Sequence, residues 1–313
     1  MEDKKRALGI VIPYYNAEAH IGIVIAKALQ HSYNIVIVND NSPQPLPENL
    51  MGLTGIEVLT TPKNLGVGGA TKMGFAHFLK NKNIKVILKL DADDQMDTKY
   101  IPEMVQAVLA EECHFIKGNR FRDLNSLKTM PGLRRFGNLW LSFLSKAATG
   151  YWNCFDFNNG FLAVSTKTLN FIDLDLLSNN YYFETSLISN LYYQRAIIKE
   201  IPMPAIYGNE KSNMKLYKMP MHFTVNLIKS FFQRIWKAYF VYDFNIGTIY
   251  ILFGTILFSG GLIFGIHNWY YYSIREIPAP TGTIMISVLS VILGFQLLLQ
   301  AVQFDIFKTP NKS

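Results

Sequence analysis

Cysteine and charge are what this 313-residue chain has least of. Cys113 and Cys154 are its only cysteines. They fall in neither a metal-ligand nor a redox spacing, so no disulfide framework or thiolate metal site is implied, and they read as reduced, packed thiols of a cytosolic domain. Charged residues make up 17% of the chain against an apolar half, where a soluble domain carries roughly 25%. The shortage is local. No charge occurs from Ile246 to Ile266 or from Pro280 to Phe304, and each run exceeds the roughly 20 residues needed to cross a bilayer. Two transmembrane helices, about 246–267 and 281–304, are expected, because buried core helices rarely stay uncharged over such lengths. No signal peptide is expected at Met1–Arg6, which is charged and followed by a short, strand-like apolar run, so the first domain is expected in the cytoplasm. The net charge of +7 is not matched by a basic stripe within a nucleic-acid motif, so no nucleic-acid partner is expected. Much of it lies between Lys117 and Lys237, ahead of the first membrane run, where basic residues attract anionic lipid headgroups.

What is present is an alternation of strands and helices. Leu8–Ile12 reads as a buried strand stopped by Pro13, which cannot donate to a ladder. A helix over Glu18–Gln30 and a strand over Ile35–Val38 complete a parallel βαβ unit, closed by the turn residues Asn39-Asp40-Asn41-Ser42-Pro43. After a weaker strand over Ile56–Leu59 comes Asn64-Leu65-Gly66-Val67-Gly68-Gly69-Ala70. This loop fails both the dinucleotide fingerprint and the Walker A pattern on residues. It remains a place for close backbone approach, before a helix from about Ala70 to Leu79 whose N-terminus favours an anion. Further elements are expected as a helix near 101–110, strands near 115–120, 161–165 and 196–201, and a helix from Tyr181 to Tyr193.

The chemical centre is Ile84-Lys-Val-Ile-Leu-Lys-Leu-Asp-Ala-Asp-Asp-Gln95, an apolar run ending in three acids and an amide. Acids at the end of a buried strand sit where open α/β sheets bind ligands. On an extended chain Asp91 and Asp93 project to the same side, with the small Ala92 between them. Two carboxylates held together repel unless a cation or water lies between them, and hard oxygens suit Mg²⁺ or Mn²⁺ bridging to substrate phosphates. An isolated Asp-x-Asp is also what a solvated acidic turn or a helix cap looks like. The decision rests on its company.

Residues 222–244 place Val225, Ile228, Phe232, Ile235, Trp236 and Tyr239 at helical spacing among Lys229, Arg234 and Lys237, the pattern of an interfacial amphipathic helix. Trp269, Tyr270, Tyr271 and Tyr272 are expected in the short connection of the membrane hairpin, as an aromatic belt. That connection has Arg275 as its only lysine or arginine, whereas the flanks carry Lys229, Arg234, Lys237, Lys308 and Lys312. This asymmetry puts the sheet domain and the C-terminus in the cytoplasm of an integral membrane protein, with a bacterial inner membrane the expected setting.

Five motifs then stand in one order: Ile12-Pro13-Tyr14-Tyr15-Asn16, Val38-Asn39-Asp40-Asn41-Ser42, the 64–70 loop, Asp91-Ala92-Asp93-Asp94-Gln95 and Gly118-Asn119-Arg120. Together the set resembles the family-2 inverting glycosyltransferases of the GT-A fold, in particular the dolichyl-phosphate mannosyltransferase and polyprenyl-phosphate glycosyltransferase branch. The resemblance implies an α/β, Rossmann-like, mostly parallel catalytic domain over 1–220. It is followed by an interfacial region over 221–245, the two-helix hairpin within 246–305 and a tail over 306–313. It implies that Pro13, Tyr15, Glu18, Val38 and Asp40 hold the base and ribose of a UDP- or GDP-sugar. It also implies that Asp91, Ala92 and Lys215 belong to the nucleotide-sugar site, Lys215 toward phosphate, and that Asp91, Asp93 and Gln95 hold Mn²⁺ or Mg²⁺. Asp93, Arg120, Arg134 and Asp156 are its catalytic candidates, with Arg135, Lys211 and Glu184 as further ones. The acceptor implied is a polyprenyl phosphate, already an anion and so needing no strong base, with cations to orient it. A hydroxyl acceptor of a lipid-linked glycan would need a base, at Asp156 or Glu184. A non-catalytic scaffold is the third reading, and the complete acidic set argues against it. Membrane lipids and a second copy of the chain are the remaining partners implied. Two departures stand out: Ala17 replaces an acid common in relatives, with Glu18 the substitute, and Asn209–Lys215 replaces their basic tail motif.

Overall fold

The computed structural model describes residues 2–50, 52–122, 132–204 and 219–311. It divides into two compact units, Met1–Phe231 with Pro310–Ser313, and Phe232–Thr309.

The first unit is built on seven strands: β1 (Leu8–Tyr14), β2 (Asn34–Asn39), β3 (Ile56–Thr60), β4 (Val86–Lys89), β5 (Phe115–Asn119), β6 (Leu162–Ser165) and β7 (Ile198–Pro202), in the order β3-β2-β1-β4-β6-β5-β7. All pairings are parallel except those of β6, which runs antiparallel between β4 and β5. The strand order reverses beside β1, the place where such sheets take ligands. The central strands are Val, Ile and Leu runs because both sheet faces are covered. Val86, Leu88 and Leu90 join the core cluster that holds Ile21, Val24 and Ile25 of the helix Glu18–Ala28 and Met104 and Val105 of the helix Ile101–Leu109. Ile87 and Lys89 alternate to the opposite face. Both cysteines are free and buried. Burial pushes the Cys154 thiol well above its ordinary range, as befits an inert packed thiol.

Some sequence expectations are corrected in detail. Pro13 does not stop β1, which runs on to Tyr14. Tyr14 presents its carbonyl to Asp40 of the β2 side, and Val11 presents its own to Leu90 of the β4 side. Pro13 therefore faces the β4 side, where the β1–β4 ladder has already ended at Val11 and Lys89, and its missing N–H breaks nothing. The glycine-loop helix starts at Val67. A Cβ on Gly68 would lie within 2.8 Å of the Phe183 Cβ, and Gly69 donates to the Asn179 carbonyl at 3.0 Å. The close approach this loop permits is thus made by the protein's own 178–183 segment.

In the second unit, the helices Ile246–Ile274 and Thr281–Phe307 are long and apolar enough to cross a membrane. They pack on each other where Gly254, Gly261 and Gly294 leave room for the facing helix, and the Ser287 hydroxyl donates to the Gly261 carbonyl. Their outer faces expose Phe253, Ile256, Ile263, Ile286, Leu289 and Ile292, which suits lipid rather than a protein core. The aromatic belt is repositioned: Trp269 and Tyr270–Tyr272 belong to the first helix, which ends only at Ile274, because aromatic residues do not break a helix and the prolines Pro278 and Pro280 come later. In the same unit Arg234 donates to both carboxylate oxygens of Asp305, at 2.7 and 2.9 Å, and the Tyr239 hydroxyl adds a third bond at 2.8 Å. The helix expected over 222–244 is observed as Met219–Trp236, continued by a π-helical turn over Lys237–Val241.

Candidate active site

The C-terminal ends of β1, β2, β4 and β5 share one edge of the sheet, and β6, being antiparallel, starts there. Five expected segments meet along this edge. Pro13 and Val38 are buried and paired in register. Tyr15 beyond them is exposed, and Asn16, left-handed at φ 51°, binds its backbone N–H to the Ser42 hydroxyl. Glu18 lines a cavity of about 520 Å³ together with Asn16, Ala19 and Gln44.

Asp40 is buried and fully engaged. One carboxylate oxygen accepts from the Thr61 hydroxyl and the Leu65 N–H, at 3.0 and 2.8 Å, and the other from the Gly66 N–H at 2.7 Å. The anion expected before the glycine-loop helix is therefore the protein's own carboxylate. Asp40 shapes the loop from beneath.

Strand β4 ends at Lys89, so Asp91–Gln95 form a turn rather than an extended segment, with Asp94 at φ 57°. The alternation argument does not apply there, yet the turn still brings the two acids together. Burial first, and the Asp91 charge second, raise the Asp93 carboxyl above its ordinary value. Asp93 accepts from the Gln95 N–H at 3.1 Å, while Asp94 is drawn off by Lys27 at 2.6 Å. Ala92 is buried beneath the turn.

Three residues give Asp91 its setting, and the sequence reading used none of them for it. The Lys89 ammonium lies 2.6 Å from Asp91 Oδ1 and 3.2 Å from Glu184 Oε1, with the lysine side chain 1% exposed. Burial alone would push that ammonium down, but the two carboxylates outweigh it and hold Lys89 above the ordinary lysine value. A Cβ on Gly160 would fall 2.5 Å from the Lys89 nitrogen and 2.6 Å from Asp91 Oδ2. A side chain at 160 would displace the tips of both residues. The signal available in the sequence was a lysine inside an otherwise apolar strand, two residues ahead of the acid.

Arg120 and Asp156, expected separately, form one unit. The Arg120 side chain donates through Nε at 2.9 Å and Nη2 at 3.0 Å to the two Asp156 oxygens, and its backbone N–H adds a third bond at 3.0 Å. Burial would raise the Asp156 carboxyl, but these bonds and the charges of Lys117 and Arg120 hold it below the ordinary carboxylate range. Glu200, absent from the sequence reading, fixes the segment by accepting from the Phe155 and Asp156 N–H groups and from Asn119 Nδ2.

Arg134 and Arg135 lie in the helix Gly132–Thr149. Lys211 and Lys215 lie outside the described residues.

The donor set suits a hard divalent cation only in part by itself. Among the described residues no three acids, histidines or cysteines converge on one point, so Asp91, Asp93 and the Gln95 amide would hold Mg²⁺ or Mn²⁺ with the remaining positions left to substrate phosphate and water, as is usual for such ions.

Paired acids after the central strand β4 and an arginine fork two strands away thus share one edge of the sheet. The chain belongs to glycosyl transferase family 2, whose model matches residues 9–172, and its first unit is a GT-A domain. An uncharacterized protein of Methanocaldococcus jannaschii is 32% identical over 207 residues, 66% of this chain and 84% of that protein. The UDP-N-acetylglucosamine–dolichyl-phosphate N-acetylglucosaminyltransferase of Methanococcus voltae is 26% identical over 215 residues, 63% of this chain and 85% of that one. Among solved structures, S. aureus TarS 1–349 in complex with UDP-GlcNAc is 13% identical, with 94% of this chain and 91% of that chain covered and a TM-score of 0.43.

Proposed function

We propose that this glycosyltransferase moves one sugar, with inversion, from a UDP- or GDP-sugar to a polyprenyl phosphate at the cytoplasmic face of a membrane. The observation that carries the acceptor is the state of the two buried carboxylates beside the site. Asp156 is held ionised by Arg120, and Glu184 is ion-paired with Lys89. Each is already engaged by a cation and is thereby a weaker base toward a hydroxyl, whereas a phosphate acceptor arrives already as an anion. The relative named for transfer to dolichyl phosphate and the two long apolar helices support the same reading.

On this reading Tyr15, Glu18, Pro13 and Val38 contact the base and ribose, and Asp40 acts on the donor through the loop it holds. Asp91, Asp93 and Gln95 would hold Mn²⁺ or Mg²⁺, which would offset negative charge on the nucleoside diphosphate leaving group. Arg120, oriented by Asp156, places charge-assisted hydrogen bonds at a phosphate. Arg134 and Lys215 contribute further positive charge.

The test is transfer in detergent with Mn²⁺, undecaprenyl or dolichyl phosphate and a panel of radiolabelled UDP- and GDP-sugars, following label into the organic phase. Lipid-extractable label from one donor establishes the acceptor class and names the sugar. Donor hydrolysis without lipid labelling, together with a pH profile requiring a base, moves the assignment to a hydroxyl of a lipid-linked glycan.

A further inference from the structure

The established family accounts for an acidic pair after β4, but not for a buried lysine bonded to one member of that pair. A buried ammonium costs several kcal/mol in lost hydration and is retained only with good partners. Here the partners come from two distant stretches: Asp91 two residues on, and Glu184 in the first turn of the helix Phe183–Tyr193. Gly160, two residues ahead of β6, closes the arrangement, because a Cβ there would crowd both the Lys89 nitrogen and Asp91 Oδ2. One oxygen of Asp91 is thereby held at 2.6 Å by the protein's own ammonium.

We propose that Lys89, seated on Glu184 and walled in by Gly160, is a positioning residue that presets the Asp91 carboxylate and competes with a bare divalent cation for it, so that the cation is taken up together with the nucleotide diphosphate. This rests on the reading of Asp91 and Asp93 as the cation-holding pair. The physical logic is charge balance. Lys89 neutralises part of the charge of Asp91, Asp93 and Glu184, which weakens standing attraction for a free cation. The diphosphate restores the missing negative charge and supplies the further oxygens that such a cation requires. Cation and nucleotide then bind cooperatively, each raising the affinity of the other by the same factor.

The experiment measures Mn²⁺ binding by electron paramagnetic resonance and nucleotide binding by calorimetry on the full chain in detergent, with UDP and GDP each tried. Both are run with and without the other ligand, and thermal melting is recorded alongside. The wild type is expected to bind Mn²⁺ weakly alone and far more tightly with nucleotide. Lys89→Met strands Glu184 and can fail to fold, so the deciding variant is the double Lys89→Met/Glu184→Met, which removes the ion pair at similar volume. It should melt near the wild type yet lose about tenfold of the Mn²⁺–nucleotide coupling, within the usual 5- to 150-fold range of such couplings. Gly160→Ala should lose coupling with both charges still present. A double variant that melts normally and keeps the full wild-type coupling overturns the proposal and leaves Lys89 a structural residue. Wild-type nucleotide binding indifferent to Mn²⁺ overturns the reading of the site itself, and the proposal with it.

Discussion

Lys89 and Lys117 occupy one cross-strand row of the sheet, on either side of Leu162, and both are essentially fully buried, yet their charges fare in opposite ways. Lys89 has a carboxylate at 2.6 Å and another at 3.2 Å and is held above the ordinary lysine value. Lys117 has no hydrogen-bond partner among the described residues and lies 5.9 Å from the centre of the Phe157 ring. Burial pushes it below the ordinary value, and Asp156 and Glu200, more distant, only partly oppose this. Burial is common to both, and a contact partner sets the direction in which each shifts; among the described residues only the row position next to the acidic turn supplies one.

That comparison can be broken by mutation. The largest effect is expected at the residue Lys89 indirectly serves: Asp93→Ala should cut sugar transfer by about 10³-fold, the scale of losing a principal electrostatic group, with little change in melting temperature. Retained transfer would detach the acidic turn from the chemistry. Next, Lys89→Met should destabilise the fold by about 3–5 kcal/mol, because it leaves buried carboxylates uncompensated. Lys117→Met should instead be neutral or stabilising by up to about 4 kcal/mol, since it removes a buried charge that has no close partner. The pH dependence sharpens the contrast. A folded-state value below the ordinary 10.5 means that the unfolded chain binds more protons between the two values, so wild-type stability rises with pH across that window. The advantage of Lys117→Met should be greatest below the window and shrink as pH approaches 10.5, as followed by thermal melting.

Asp156→Asn should cost about 2–3 kcal/mol, the scale of lost hydrogen bonds to a charged group. Its folded value is depressed, so the stabilisation is complete above the ordinary 3.8 and disappears as pH falls through the lower folded value. Wild type and variant should converge in acid. The smallest effect is expected in the second unit, where Asp305 keeps two bonds from Arg234 after Tyr239→Phe. A loss of about 1 kcal/mol is expected there, that of one ordinary hydrogen bond.

Much of the fold was legible because it rests on local pattern. The apolar runs at 8–12, 35–38 and 86–89 became strands, and the two uncharged stretches became the two longest helices. The acidic turn and Arg120 were legible as motifs. The partners were not. Glu184 meets Lys89 from a distant helix, and Gly160 reaches them from the other side of β6, and no periodicity links residues so far apart in the chain. The engagement of Asp40 with Leu65 and Gly66 was hidden for the same reason. A motif residue's type is visible in sequence, whereas the direction in which its hydrogen bonds are spent is a tertiary property.

The reversed direction of β6 has a consequence for how this enzyme could be altered. An antiparallel strand begins at the edge where its parallel neighbours finish, so the stretch leading into it, with Asp156 and Gly160, furnishes the site from a part of the chain separate from Pro13, Asp40 and Asp91. One short stretch of chain, Asp156 to Gly160, therefore meets both the Arg120 fork and the Lys89–Asp91 pair, so an exchange of residues 150–161 between relatives alters both at once without rebuilding the sheet.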